Sequence, residues 1–204
     1  MALDTYNGLK AEVADWLNRQ DLAGVIPTFV RLLEAQVDRT LRVREMIARA
    51  RADITEEFTV LPPDFLAIEH AIVNTAKPIV LEWVPMNQID QLQADTEPGQ
   101  LKYYTIIGDE LEVAPFPSGT SEIEVVYYRK TERLSEDNQT NWLLDRHPDL
   151  YLFGTLMQAA PYLNNDERIG VWSASLSTIL EDIRQADERA TKGGTPLKMR
   201  IKPY

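Results

Sequence analysis

The sequence predicts an α+β protein: a helical bundle that carries an inserted, small antiparallel β-rich unit and ends in an extended C-terminal arm. Three observations predict it. Apolar residues recur at spacings of three and four near both ends of the chain. In the centre the period falls to two on either side of a Gly-Asp pair. After the last periodic stretch a glycine pair and a change in the sign of the charge mark a separate tail. The expected division is a helical core from 1–48 and 141–192, a β-rich insertion with linkers from 49–140, and an extended C-terminal arm from 193–204.

The stretch TYNGLKAEVADWLNRQDL reads as a short helix with Leu9, Val13, Trp16 and Leu17 on its apolar face. A second helix follows in VIPTFVRLLEAQVDRTL. Pro27 suits its first turn, where a missing amide costs nothing, and Phe29, Leu33, Val37 and Leu41 line a stripe. RVREMIARARADI has a composition that allows helix, but its pattern is weak. EFTVLPPDFLAIEHAIV holds two short β-rich runs broken by Pro62-Pro63, since a proline pair cannot sit in the middle of a ladder. KPIVLEWVP is expected as one further strand and MNQIDQLQA as a short helix. In LKYYTIIGDELEVAPF, Gly108-Asp109 predicts a two-residue hairpin turn of type II′, after which Leu111 and Val113 alternate with Glu110 and Glu112. A second turn, PFPSGTSE, leads into EIEVVYYRK, where Ile123, Val125 and Tyr127 share a face.

Helix returns at PDLYLFGTLMQAAPYL. Pro148 fits the first helical position, Leu150, Phe153, Met157 and Ala160 fall on one side, and Pro161 ends or kinks the element. One residue of Asn164-Asn165-Asp166 is expected to cap the last helix. Its apolar residues Ile169, Trp172, Leu176, Ile179, Ile183, Ala186 and Ala190 alternate between spacings of three and four, a coiled-coil-like seam. The simplest use of that seam is an antiparallel hairpin against the preceding helix; a neighbouring subunit is the other. Gly193-Gly194 stops the helix. The tail TPLKMRIKPY reads as extended and ordered only by a partner.

The 204 residues, 44% of them hydrophobic, can supply a core for one domain or for one domain with an insertion. No apolar run is long enough to span a bilayer, so no membrane partner is expected. The start MALDTYNGLKAEV has early acids and no long apolar run, which is unlike a signal peptide. With no cysteine, the chain has neither disulfides nor thiolate chemistry, as suits a reducing compartment. The formal charge is −11. All 32 acids lie at or before Glu188, where the net charge is −16, and the following 16 residues carry +5 from Arg189, Lys192, Lys198, Arg200 and Lys202. Such a body is a poor binder of nucleic-acid backbone. The basic tail can meet nucleic acid or an acidic protein surface; the protein partner is the preferred reading.

Signals for catalysis are weak. Asp145, His147 and Asp149 are alternate in sequence, but a proline-started helix begins among them, so the preferred role is capping rather than metal binding or acid–base work. His70 follows Glu69 without an HExxH pattern and reads as structural. There is no GxGxxG, phosphate loop or GxSxG elbow. Arg39, Arg42, Arg44, Arg49 and Arg51 lie close together and can face DNA or, preferably, acids on a neighbouring subunit. No cofactor and no enzymatic activity are expected. A DNA-binding module or an enzyme is the least favoured reading.

LKAEVADWLNR, FTVLPPDFLAI and NWLLDRHPDLYLFGTLMQAAPYLNNDERIGVWSASLSTILEDI, in that order, resemble the head-to-tail adaptor proteins of tailed bacteriophages, closest to the adaptor group of short-tailed phages. The resemblance implies a helical bundle with a β-rich insertion. It also implies a ring of usually twelve subunits below the portal, a channel through which DNA passes without sequence-specific binding, and a platform for a tail or nozzle protein. By the same resemblance the protein would sit at the head–tail junction of the virion, after assembly in the host cytoplasm; the runner-up is another tail-assembly or tail-completion protein of the virion. Residues Lys192, Leu197, Lys198, Met199, Arg200, Ile201, Lys202 and Tyr204 would belong to a portal-docking arm. Ile169, Trp172, Leu176, Ile179 and Ile183 would serve final-helix packing or a subunit interface.

Overall fold

The computed structural model describes residues 3–163 and 167–192. In chain order its elements are α1 (Tyr6–Leu17), α2 (Ile26–Thr40), β1 (Ile47–Ile54), β2 (Phe58–Val60), β3 (Phe65–Val73), β4 (Ile79–Val80), β5 (Glu82–Trp83), α3 (Met86–Asp95), β6 (Tyr103–Ile107), β7 (Glu110–Ala114), β8 (Ser121–Arg129), α4 (Trp142–Arg146), α5 (Pro148–Ala159) and α6 (Arg168–Lys192). The α+β class is thereby established. The chain forms two compact units, Met1–Glu45 with Thr131–Tyr204, and Met46–Lys130.

In the helical unit, local chemistry sets the helix ends. Thr5 Oγ1 accepts from the Gly8 amide at 3.1 Å, and α1 stops where Asn18 turns left-handed at φ 51°. α2 opens on Pro27, and Asn141 Oδ1 caps α4 by accepting from Leu144 N at 2.8 Å. Leu9, Val13, Leu17, Phe29, Leu33 and Val37 are buried as their spacing predicts. Trp16 is not: it is 42% exposed and sets its ring edge-on against Phe153 at 5.7 Å.

α5 lies in the middle of this unit, packed on α1, α2, α4 and α6. A helix covered on so many sides is apolar nearly all round. Leu150, Tyr151, Leu152, Leu156 and Ala159 are therefore buried, whereas Phe153, Met157 and Ala160 of the expected stripe are only half-buried. Gly154 is the point of closest approach to α2. A Cβ there would lie 2.4 Å from a Leu33 methyl.

α6 packs on α5 through its seam. Trp172, Leu176 and Ile183 are buried, Ile169 and Ile179 are half-buried, and Ala186 and Ala190 are exposed. Length explains this gradient. The 25 residues of α6 and the 12 of α5 correspond to roughly 37 Å and 18 Å of helix at about 1.5 Å per residue. The expected cap at Asn164–Asp166 and the glycine stop at 193–194 lie outside the described residues.

The β unit has two four-stranded sheets, ordered β1-β8-β3-β4 and β2-β7-β6-β5. All strand pairs are antiparallel except β5 with β6. Their inner faces share a core that includes Ile54, Val73, Leu111, Val113, Ile123 and Tyr127. The Gly108-Asp109 turn is as expected: Ile107 pairs with Glu110, Gly108 has φ +61°, and Asp109 is not left-handed, which is the type II′ pattern.

Two sequence expectations fail here. IARARADI is strand β1, not helix. It pairs with β8 along its full length, with Ala48 and Ala50 against the core and Arg49 and Arg51 on the other face. KPIVLEWVP is not one strand. Ile79–Val80 pairs with β3, and after Leu81 the chain passes to the other sheet, where Glu82–Trp83 pairs with β6. Glu112 is buried at 3% exposure, where its Oε1 accepts from Gln93 of α3 at 3.2 Å.

Candidate assembly surfaces

The histidine that opened the question of catalysis is a joint between helices. His147 has φ −135° and ψ 60°, donates its amide to the Leu143 carbonyl at 2.8 Å and accepts Leu150 N at 3.1 Å. It caps through its backbone, not its side chain. Burial holds its pKa below the usual histidine range, against the opposing pull of Asp149 and Glu45. Asp149 accepts from the Leu150 amide at 2.9 Å in the first turn of α5. His147 also lines a cavity of about 210 Å³ with Trp142 and Ile183. Around it the charges are paired: Arg146 with Glu45 at 2.8 Å, and Arg44 with Glu45 at 3.5 Å and with Asp187 at 3.8 Å. This arrangement ties α6 to α4 and to the end of the first segment. His70 is half-buried on β3, opposite Val126. Among the described residues no group of three or more His, Asp or Glu could hold a metal ion, and no helix is long and apolar enough to cross a membrane.

The sequence reading missed a buried polar network in the helical unit. Glu34 Oε1 accepts from Leu134 N at 2.9 Å and from the Tyr151 hydroxyl at 3.1 Å. Asn141 Nδ2 donates to Tyr151 at 2.7 Å and to the Glu132 carbonyl at 2.7 Å. The network pins the return segment, residues 131–141, onto the bundle. Burial raises the Glu34 pKa, and its Oε2 has no partner. The signal was present in the sequence: Glu34 lies four residues after Val30 and three before Val37, on the apolar face of α2.

The arginine group is correspondingly reassigned. Arg49 and Arg51 pair with Glu124 of β8 at 3.4 Å and 2.7 Å, within the same chain. Arg42 donates to the Asp38 carbonyl at 2.8 Å. Glu124, which faces away from the core shared by Ile123 and Val125, supplies the acid that the sequence reading sought on a neighbour.

The β unit keeps an open side. β1 and β2 are edge strands of different sheets. Ala50, Ala52, Ile54, Thr59, Leu61 and Val125 line a largely apolar groove of about 170 Å³ there. On the outer face of the second sheet Phe58 pairs with Glu112 and Val60 with Glu110. Phe58 is 42% exposed and Val60 73% exposed. Burial, with Asp90 and Glu57 nearby, raises the Glu112 pKa, and Glu112 Oε2 has no hydrogen-bond partner.

Comparison gives the class: the chain is a phage adaptor protein. It belongs to the SU10 adaptor protein family, whose model matches residues 4–200. The search of curated proteins returned no match. The portal-docking residues predicted from the sequence, apart from Lys192 at the end of α6, lie outside the described residues.

Proposed function

We propose that this adaptor forms a ring beneath the phage portal, extends the DNA channel and serves as the attachment platform for the tail or nozzle protein. Twelve subunits are the number that the resemblance implies. The observation that carries the reading is the family match over residues 4–200, which includes both units and most of the tail. The charge distribution supports it. A body of net −16 up to Glu188 disfavours phosphate contacts, so DNA can pass without adhering. The +5 beyond it suits a docking arm in which Lys192, Leu197, Lys198, Met199, Arg200, Ile201, Lys202 and Tyr204 fasten the ring to the portal. The uncovered flank of α6, with Ile169 and Ile179 half-buried and Ala186 and Ala190 exposed, supports a role in contact between ring neighbours. No residue is assigned a catalytic role and no cofactor is invoked.

The test is electron microscopy of the full-length protein mixed with portal complexes, where ring density on the portal is expected. Deleting Gly193–Tyr204 should abolish that binding while the far-ultraviolet circular dichroism stays unchanged. Undiminished portal binding by the shortened chain would refute the arm; full-length protein that stays monomeric beside portals would refute the ring.

A further inference from the structure

The last residues have a period that a reading of the tail as patternless overlooks. Leu197, Met199 and Ile201 alternate with Lys198, Arg200 and Lys202, between Pro196 and Pro203. When extended, such a segment is apolar on one face and cationic on the other. The prolines limit it to six residues, too few for a strand to persist alone. What it requires is an open strand edge with an apolar groove on one side and carboxylates on the other.

The β unit supplies such an edge. Among the described residues β2 pairs only with β7. On the inner side of that edge, Thr59 and Leu61 border the apolar groove with Ala50 and Ala52 of β1, whose small side chains leave it open. On the outer side lie the exposed Phe58 and Val60, flanked by Glu112 and Glu110. Glu57 and Asp90 add to the negative field there. Among the described residues none of these four carboxylates is in a salt bridge. Glu112 Oε2 is buried without a donor.

We propose that, in the portal-free protein, residues 197–202 of a second copy add to the open edge of β2, seating Leu197, Met199 and Ile201 in the groove and setting Lys198, Arg200 and Lys202 against Glu57, Glu110 and Glu112. Main-chain hydrogen bonds give such an added strand its affinity, and the alternate side chains give it specificity. Charge favours the encounter, since residues 46–130 hold fourteen acids and six bases while residues 193–204 hold three bases and no acid. The inference rests on the self-assembly reading above only in needing a second copy at hand; when a portal is present the same residues exchange β2 for the portal.

The chain has no cysteine, so thiols introduced singly report on pairs of copies. Full-length Thr59→Cys is mixed with full-length Met199→Cys under mild oxidation, without portal. The control pairs Met199→Cys with Ser173→Cys, an exposed position on α6. Docking raises the local thiol concentration, so the first pair should give about tenfold more disulfide between variants than the control. Charge reversal in the arm (K198E, R200E and K202E together) should bring that yield down to the control level. Equal yields from the two pairs overturn the proposal, as does a disulfide that forms only when both cysteines share one chain. A high yield in protein that fails to bind portals in the microscopy above would count against the portal reading and leave this one standing.

Discussion

The helical unit and the β unit solve the same problem, burying apolar surface, by different means. The helical unit encloses one apolar helix, α5, and holds inside it a hydrogen-bonded network of Glu34, Tyr151 and Asn141. The β unit packs two sheet faces together and leaves β1 and β2 with unpaired edges. The first is closed by side chains that meet in one place; the second stays open along a line. The difference teaches where each unit is sensitive: the helical unit to loss of volume or of a donor, the β unit to the geometry of its turns and edges.

Removing volume should have the largest effect. Trp172 is 2% exposed against the bundle, and Trp172→Ala should cost about 3–5 kcal/mol in urea denaturation, confined to the helical unit. A loss shared equally with the β unit, followed through amide exchange in β7 and β8, would break the comparison. A turn substitution tests the other side. Gly108→Val forces a β-branched residue to φ +61° and should destabilise the β unit by about 1–3 kcal/mol, seen as lost protection in β6 and β7. An unaltered melting profile would mean the hairpin does not depend on that glycine.

The smallest effect sharpens the comparison through pH. Burial raises the Glu34 pKa above its ordinary value of 4.5, so the folded protein holds this proton more tightly than the unfolded chain. The corresponding stability is present below that ordinary value and is lost as pH rises through the folded pKa. Glu34→Gln keeps an oxygen for Leu134 and Tyr151 and removes the titration. It should flatten the fall in stability above pH 4.5, with little change at lower pH. A variant that retained the wild-type slope would place the titration elsewhere.

Legibility followed the same division. Caps and periodicities of three and four located α1, α2, α5 and α6 because helices are decided by neighbours in sequence. α4 escaped because five residues cannot show a period, although Asn141, its cap, was in view. β1 escaped for a physical reason. Alanine and arginine favour helix when isolated, and here pairing with β8 overrides that preference. The division of KPIVLEWVP at Leu81 was equally hidden, since no local pattern records which sheet a strand will join. Of the candidate surfaces, the α6 seam was readable down to Trp172 and Leu176. Glu34 left a trace in its place on the apolar face of α2, but the burial of Glu112 was not readable, because a glutamate in an alternating strand looks like an ordinary solvent-facing residue until its partners are found.

The length of α6 has one more consequence. Its 25 residues outrun the 12 of α5, and the described helix ends at Lys192. On such a mast, the azimuth of the helix exit is a matter of rotational phase. One residue inserted after Asp187 would swing that exit through about 100° while lengthening the mast by only about 1.5 Å. Seven inserted residues would nearly restore the bearing. Relatives that differ in length here should therefore do so in whole turns.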